Sequence, residues 1–405
     1  MLRLFLCLLA SLALIYATVS SATTVPNLFT PALDQERKVT LERLDTHLQL
    51  KDRRQTELAI IDYLTPLYDD ASKQHNGFYS PLYRVLRKNH AAEAMLFLDQ
   101  ELDQNRHHFS DLNYYDFKRG IAFAIAATAN YDQLYYRLLP VMEEIENYQS
   151  SDLQSDSIML TLHYAYAQGL VRVGLYDKAA YHYQQALTFT NRWSELENRR
   201  PVVDLLIGEL FINLHEPDKA FPYLRKAIIN FPKERTDGRI YLRTLLAAAH
   251  LQLGQVDLAE EILDNVVFLK TMPRKDYLLY HYQIKTHLRL KQNDHANAKA
   301  LIEQAKPIAD QVNSLYYADV FQLTDLYVTF QQSPSLKLIA DYDRLLEKLP
   351  SLENSYALFY LSLKKKMLQQ LGENGQEKDL QQEIESIHSK LSEMTQKVIA
   401  QLPNR

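Results

Sequence analysis

The sequence of 405 residues has one cysteine, one tryptophan and nine glycines. The cysteine, Cys7, lies inside the apolar N-terminal run. The rest of the chain can therefore build neither a disulfide framework nor a thiolate metal site. The glycines are too scattered to form a phosphate-cradling loop, and no Walker, GxGxxG or GxSxG pattern occurs. The net charge of −5 lacks the basic footprint of a nucleic-acid binder. The one basic run, Lys364 to Lys366, is flanked by Leu361, Leu363, Met367 and Leu368, as on the solvated face of an amphipathic helix. After residue 22 no apolar stretch nears the roughly 20 residues that a bilayer requires. Ile121 to Ala129 is the longest, and it reads as the buried face of a helix. Sustained apolar/polar alternation is missing too, which excludes a sheet protein.

What is present starts at the N-terminus. Met1 to Arg3 is a short positive segment, Leu4 to Tyr16 an apolar run, and Ser20-Ser21-Ala22 a small-residue site. That order is the pattern of a secretory signal peptide over 1–22, cleaved after Ala22. It makes the chain exported, to the periplasm first and the medium second. A leader over 23–33 holds Pro26 and Pro31.

From residue 34 to 375 the pattern is helical and repeats. GLYDKAAYHYQQA at Gly174–Ala186 recurs as EPDKAFPYLRKA at Glu216–Ala227 and GQVDLAEEILDNV at Gly254–Val266. The units align on Ala179, Ala220, Ala259 and Ala298, spaced 41, 39 and 39 residues. Four positions on stand Tyr183, Leu224, Leu263 and Ile302, and seven positions on Ala186, Ala227, Val266 and Ala305. Positions i, i+4 and i+7 share a helix face, so small residues admit a neighbouring backbone and the large one fills the gap. Twelve places earlier each first helix has its own small residue, Ala167, Gly208 or Ala247. Weaker echoes sit at Ala59, Ala94, Tyr135, Ala340 and Leu380. Between two good units, Ser194 to Glu197 is predicted to form a capping box, and Pro201 to introduce a kink or a separate short turn.

This pattern is similar to the tetratricopeptide repeat (TPR), whose units also place small residues at these intervals. The spacing exceeds the family's usual length of about 34, and the typical tryptophan is replaced by His163, Asp204 and Arg243. The resemblance implies an all-α, right-handed α-solenoid of about eight or nine helical hairpins. It also implies a concave groove lined by the first helices. Carried over by position, the groove residues are Tyr164, Gln168, Arg172, Glu209, Asn213, Tyr241, Gln252, Tyr280, His287 and Lys291. Aromatics with amide and charged groups suit a peptide-binding surface. They suit helix packing equally well.

The last segment, 376–405, is predicted as one amphipathic helix. Leu380, Ile384, Ile387, Leu391, Met394 and Val398 follow a coiled-coil-like spacing. It either caps the array or forms a homodimer through that stripe. No catalytic or metal constellation emerges: His215-Glu216 does not complete HExxH, and His107-His108 lacks a third ligand at metal spacing. No cofactor and no enzyme activity is implied. The leading expectation is an exported, non-catalytic scaffold that binds a protein or peptide in its groove. One alternative is a periplasmic sensory module working through a separate membrane signalling partner, since an exported TPR-like array resembles the external region of membrane diguanylate cyclases. The other is a small-ligand binder or enzyme with a pocket between repeats.

Overall fold

A computed structural model describes residues 110–402 except 129, 147, 150–151, 233–235, 267–273, 313 and 350–353, together with Met95, Leu96, Asp99, Leu102, Asp103 and Arg106. The expected signal peptide, the leader, the echoes at Ala59 and Ala94, and His107-His108 lie outside the described residues. The chain divides into two units, 1–120 and 121–405. In the first, the buried Lys118 ammonium contacts the carboxylates of Asp99 and Asp103, each at 2.6 Å, and the Tyr114 hydroxyl donates to Asp103 at 2.8 Å.

The described helices are α1 (Asp111–Thr128), α2 (Asp132–Ile145), α3 (Leu153–Arg172), α4 (Tyr176–Thr190), α5 (Ser194–Glu197), α6 (Arg200–Asn213), α7 (Pro217–Asn230) and α8 (Thr236–Gln252). They continue as α9 (Val256–Asp264), α10 (Lys275–Lys291), α11 (His295–Gln311), α12 (Leu315–Gln332), α13 (Leu336–Leu346), α14 (Ser355–Leu371) and α15 (Asn374–Gln401). No strand occurs among the described residues. In the second unit α3, α6, α8, α10, α12 and α14 are first helices of hairpins, and α4, α7, α9, α11, α13 and α15 their partners.

The small residues stand where the repeat needs them. Ala167, Ala179, Ala186, Ala220, Ala227, Ala247, Ala259, Ala298 and Ala305 are all fully buried, as are Tyr183, Leu224, Leu263 and Ile302. At the outer units the register differs from expectation. In α2 the buried i, i+4, i+7 set is Leu134, Leu138 and Val141, one place before Tyr135. In α13 the buried set is Ile339, Tyr342 and Leu346, at i, i+3 and i+7, while Ala340 is exposed. Larger apolar side chains anchor these hairpins, so alanine is no guide to their phase.

Five turns between paired helices share one conformation, and the turn between α12 and α13 does not. Gly174, His215, Gly254, Asn293 and Gly372 all have positive φ. The amide that follows each reaches back five residues, as in Leu175 N to Leu170 O at 2.9 Å and Glu216 N to Phe211 O at 2.9 Å. These are Schellman ends, where a left-handed residue lets the last carbonyls be satisfied. Glycine adopts that conformation freely, asparagine tolerates it, and histidine pays a small steric cost.

The linker between α4 and α6 holds two surprises. The Ser194–Glu197 capping box does not form: Trp193 is the N-cap, its side chain makes no capping bond, and Ser194 Oγ instead donates to Glu195. A capping box does form at Asp152 and Ser155, where α3 begins. Pro201 falls in the first turn of α6, where a missing N–H costs nothing, so the short helix α5 stands apart and no kink follows. Asp156, buried in α3, accepts from Trp193 Nε1 at 2.6 Å and from Arg192 at 3.1 Å, which pins this linker to the preceding hairpin.

The helix α15 buries Leu380, Ile387, Leu391, Thr395 and Val398. It packs on α14 and also returns to α4, near the start of the array. The stripe considered for a homodimer is therefore covered by its own chain. Among the described residues no helix is long and apolar enough to cross a membrane.

Candidate functional site on the concave face

The expected groove residues sit on first helices and face one another, but much of that face is filled. Tyr164, Glu209, Asn213, Tyr241, Tyr280 and His287 are buried. The expectation of an open groove along this whole row is thus corrected. The phenol rings of Tyr241 and Tyr280, at one place in successive first helices, meet with centres 5.0 Å apart and occupy the face between them.

The filling is organised around charge. Arg172 Nη2 meets Glu209 Oε1 at 3.3 Å, and its guanidinium lies 5.3 Å from each of the Tyr131 and Tyr316 ring centres. Burial pushes the Glu209 carboxyl up, while Arg172 and a hydrogen bond from Tyr241 oppose that shift. Burial likewise works against the Arg172 charge, but Glu209 and the surrounding phenols more than offset it. Tyr241 stacks on Tyr277 at 4.4 Å and tilts against Tyr280 at 5.0 Å. Farther along, the Tyr280 and Tyr356 hydroxyls are 2.5 Å apart. Tyr131 donates to Asp276, which Arg274 also holds through Nε at 2.8 Å. Leu315 N donates to Asn130 Oδ1 at 3.2 Å, joining positions 185 residues apart in sequence. These contacts tie the start of the unit to its later hairpins.

One end of the same face remains open. The last residues of three first helices, Asn213, Gln252 and Lys291, occupy equivalent places in the repeat. Asn213 bonds within its own helix, to Glu209 O at 2.9 Å. Gln252 Nε2 donates to Ile212 O at 2.9 Å, and Lys291 Nζ to Leu251 O at 2.8 Å. Each thus caps the carbonyl end of the preceding first helix, where the helix dipole favours a donor. Beside them opens a cavity of about 280 Å³. Its floor is Leu251, Ile284, Leu358 and Phe359, and α15 contributes Ile384 and His388 as a wall.

Three residues that line this cavity carry a buried polar atom short of a partner. His215 Nδ1, Gln252 Oε1 and Ser355 Oγ are buried with no hydrogen-bond partner, and all three residues line it. His287 is committed: its Nε2 lies 3.0 Å from the Tyr360 hydroxyl, and its ring stacks on Phe359 at 3.8 Å. Burial, with Lys291 nearby, takes the His287 imidazole down to about 3, so it stays neutral. Burial, helped by His388 and Lys291, also lowers His215, against Glu216. Burial and then Lys366 lower Lys291. No carboxylate is among the lining residues. The histidines do not assemble a metal site: among the described residues no group of three metal-capable side chains forms.

Of the ten residues expected in the groove, Gln252, His287 and Lys291 come together in this cavity. Arg172 and Asn213 line a much smaller recess with Tyr316 and Asn354. Tyr164, Glu209, Tyr241 and Tyr280 belong to the packed interior, and Gln168 is half-buried on α3. Sequence reasoning missed His215, Ser355, Phe359 and His388. His215 had one signal, a histidine standing where other units have glycine or asparagine.

No family model matches the chain, and no curated protein does. Among solved structures it is similar to that of a Rap protein complexed with competence and sporulation factor. The match has a TM-score of 0.59 at 14% identity and covers 89% of this chain and 100% of that one. The chain has a TPR-like helical repeat fold.

Proposed function

We propose that the protein is a non-catalytic scaffold that binds a peptide or protein segment on its concave face, at the cavity between the first-helix ends and α15. The observation that carries this reading is the meeting of an apolar floor with three buried, unpartnered polar atoms in one place. Binding surfaces combine apolar contact with a few orienting polar groups in this way. The tyrosine-filled stretch supports the site by holding the hairpins in fixed phase. That a similar fold is solved with a bound factor agrees with such a use.

The test is a selection from a displayed random-peptide library against the whole protein. Ser362 lines the rim of the cavity and is exposed, so Ser362→Trp would fill the space with little strain on the core. The expected result is peptides that bind the native protein and lose about tenfold or more on the variant, the cost of losing one well-packed contact region. Peptides indifferent to Ser362→Trp would move the site elsewhere.

Export to the periplasm is part of the same proposal and rests on the Met1–Ala22 pattern. The N-terminal residue of protein recovered from the periplasmic fraction tests it. Thr23 is expected there. An intact Met1 in cytosolic protein would refute it.

A further inference from the structure

A second surface lies among the outer helices. Among the described residues eight large apolar side chains are exposed, and four of them follow one another along the chain: Ile228 and Ile229 on α7, Leu253 just past α8, and Leu258 on α9. Scattered singly, such residues need no explanation; gathered in one place they mark an interaction surface. Helical spacing gathers three of them in one strip. Arg239, Leu242, Arg243, Leu246 and His250 follow i, i+3, i+4, i+7 and i+11 along α8, and Leu253 continues their line. Phe221, Arg225 and Ile228 share a face of α7. Leu258, Glu261, Ile262 and Asn265 share one of α9.

These faces enclose a groove. Between α7 and α9, with α8 as its floor, opens a cavity of about 340 Å³ whose apolar lining is Ile228, Leu242, Leu246 and Ile262. At one end of the strip Arg243 donates to Asn265 O at 3.2 Å, and at the other Phe221 meets the His250 ring at 5.0 Å. From Arg239 to Leu253 the floor runs roughly 20 Å, about four helical turns. Charge is unevenly placed along it. Arg239 and Arg243 line the cavity, with Glu261 the one carboxylate in its lining. Arg225 stands partway along α7, its guanidinium 5.8 Å from the Phe221 ring centre. Asp218 and Asp257 are in the first turns of α7 and α9, at the end away from Arg239. A chain of net charge −5 thus presents an apolar groove with three arginines along it.

A furrow between two helices, floored by leucines and several turns long, has the shape that takes a third helix by its apolar face. Guanidinium groups beside that floor repel a basic flank and pair with an acidic one, which sets the choice of partner. A bilayer surface fits less well, because the apolar floor is recessed between the ridges of α7 and α9. We propose that this groove docks an amphipathic helix of a partner protein. The apolar stripe of that helix lies on Leu242, Leu246 and Ile262, and aspartates or glutamates beside the stripe pair with Arg239 and Arg243. Docking here leaves the concave cavity free, so the two surfaces can be occupied independently.

The experiment pans the full chain against displayed helices of about 18 residues, or five turns. Leucine is fixed at i, i+3, i+4, i+7 and i+11, and every other position is free. Enriched helices are then measured by fluorescence anisotropy. They should carry aspartate or glutamate beside the stripe, and each should bind the double variant Arg239→Glu/Arg243→Glu about tenfold or more weakly. Ile228→Glu, at a position already exposed, should weaken binding too, with helical circular dichroism unchanged in both variants. Ser362→Trp, at the concave cavity, should have no effect. Helices without an acidic bias, or lost on Ser362→Trp and kept by both groove variants, would overturn the proposal, as would failure of any helix to enrich. Two further readouts report the other occupants. Cosedimentation with phosphatidylglycerol vesicles that Ile228→Glu abolishes would give the strip to a membrane surface, and a native dimer that this variant dissociates would give it to a second copy. Either result would overturn the proposal.

Discussion

The Arg172 guanidinium reaches Glu209 at 3.3 Å across two hairpins, with both groups almost wholly removed from water. A buried pair of this kind contributes little net stability, but losing one member strands the other charge. Arg172→Met should therefore cost about 3–5 kcal/mol in urea unfolding. The double variant with Glu209→Gln should recover part of that loss. If the single variant is as stable as the native chain, the charge pair does not organise the interior.

Close backbone approach makes a second case. A side chain at Gly169 in α3 would run into Tyr135 N and lie 2.9 Å from the Leu134 carbonyl carbon, both backbone atoms of α2. At Gly208 in α6 the obstacle is the Leu224 side chain, which can turn aside. Gly169→Ala is expected to lose about 1–3 kcal/mol as an overpacked site. Gly208→Ala should lose less, because a side chain rather than backbone has to give way, while both gain up to about 1 kcal/mol of helix propensity. Paired thermal melts would reveal the order, and a reversed order would contradict the packing described.

Stability should also fall with acid, for a reason that can be signed. Burial holds His281 and His287 down to about 3, with Lys285 and Lys291 adding to the effect. Unfolded, each titrates near the usual 6.5. Below that value the unfolded chain takes up protons that the folded chain refuses, so unfolding gains as pH drops from about 6.5 toward 3. Each imidazole contributes up to about 1.4 kcal/mol per pH unit in this window and nothing above it. Melting temperatures at pH 8, 6.5, 5 and 4 test this, and His287→Gln should flatten the slope.

The role of α15 can be tested through Leu391, buried in its apolar stripe. Leu391→Ser should cost about 2–5 kcal/mol by loss of burial and cavity formation. It should also leave residues 374–401 open to limited proteolysis. Sedimentation should give the same molar mass for native and variant protein. A native dimer that dissociates on this substitution would make the stripe a seam between copies.

Much of this fold is legible in the sequence, for a physical reason. Where Ala179, Ala220, Ala259 and Ala298 mark close helix approaches, no larger residue fits, so periodicity and structure agree. Outside them Leu134 and Ile339 do the same work with more volume, and a search for alanine misplaces the phase by one. The candidate site was only partly legible. Gln252, His287 and Lys291 follow from repeat position, because first-helix ends line up. Phe359 and His388 do not: Phe359 stands on α14, past the units whose phase the alanines mark, and His388 reaches the cavity through the return of α15 across the array, a long-range packing that no local pattern encodes. Nor did composition distinguish phenols that fill a groove from phenols that line one: closure of the superhelix decides that.

Hydrogen exchange on the native protein, with and without a peptide selected as above, tests the central claim most directly. The account expects new protection at 248–252, 355–362 and 384–388, the segments that wall the cavity, and little change in the outer helices α9 and α13. Protection confined to α9 or α13, with those three segments unchanged, would contradict it.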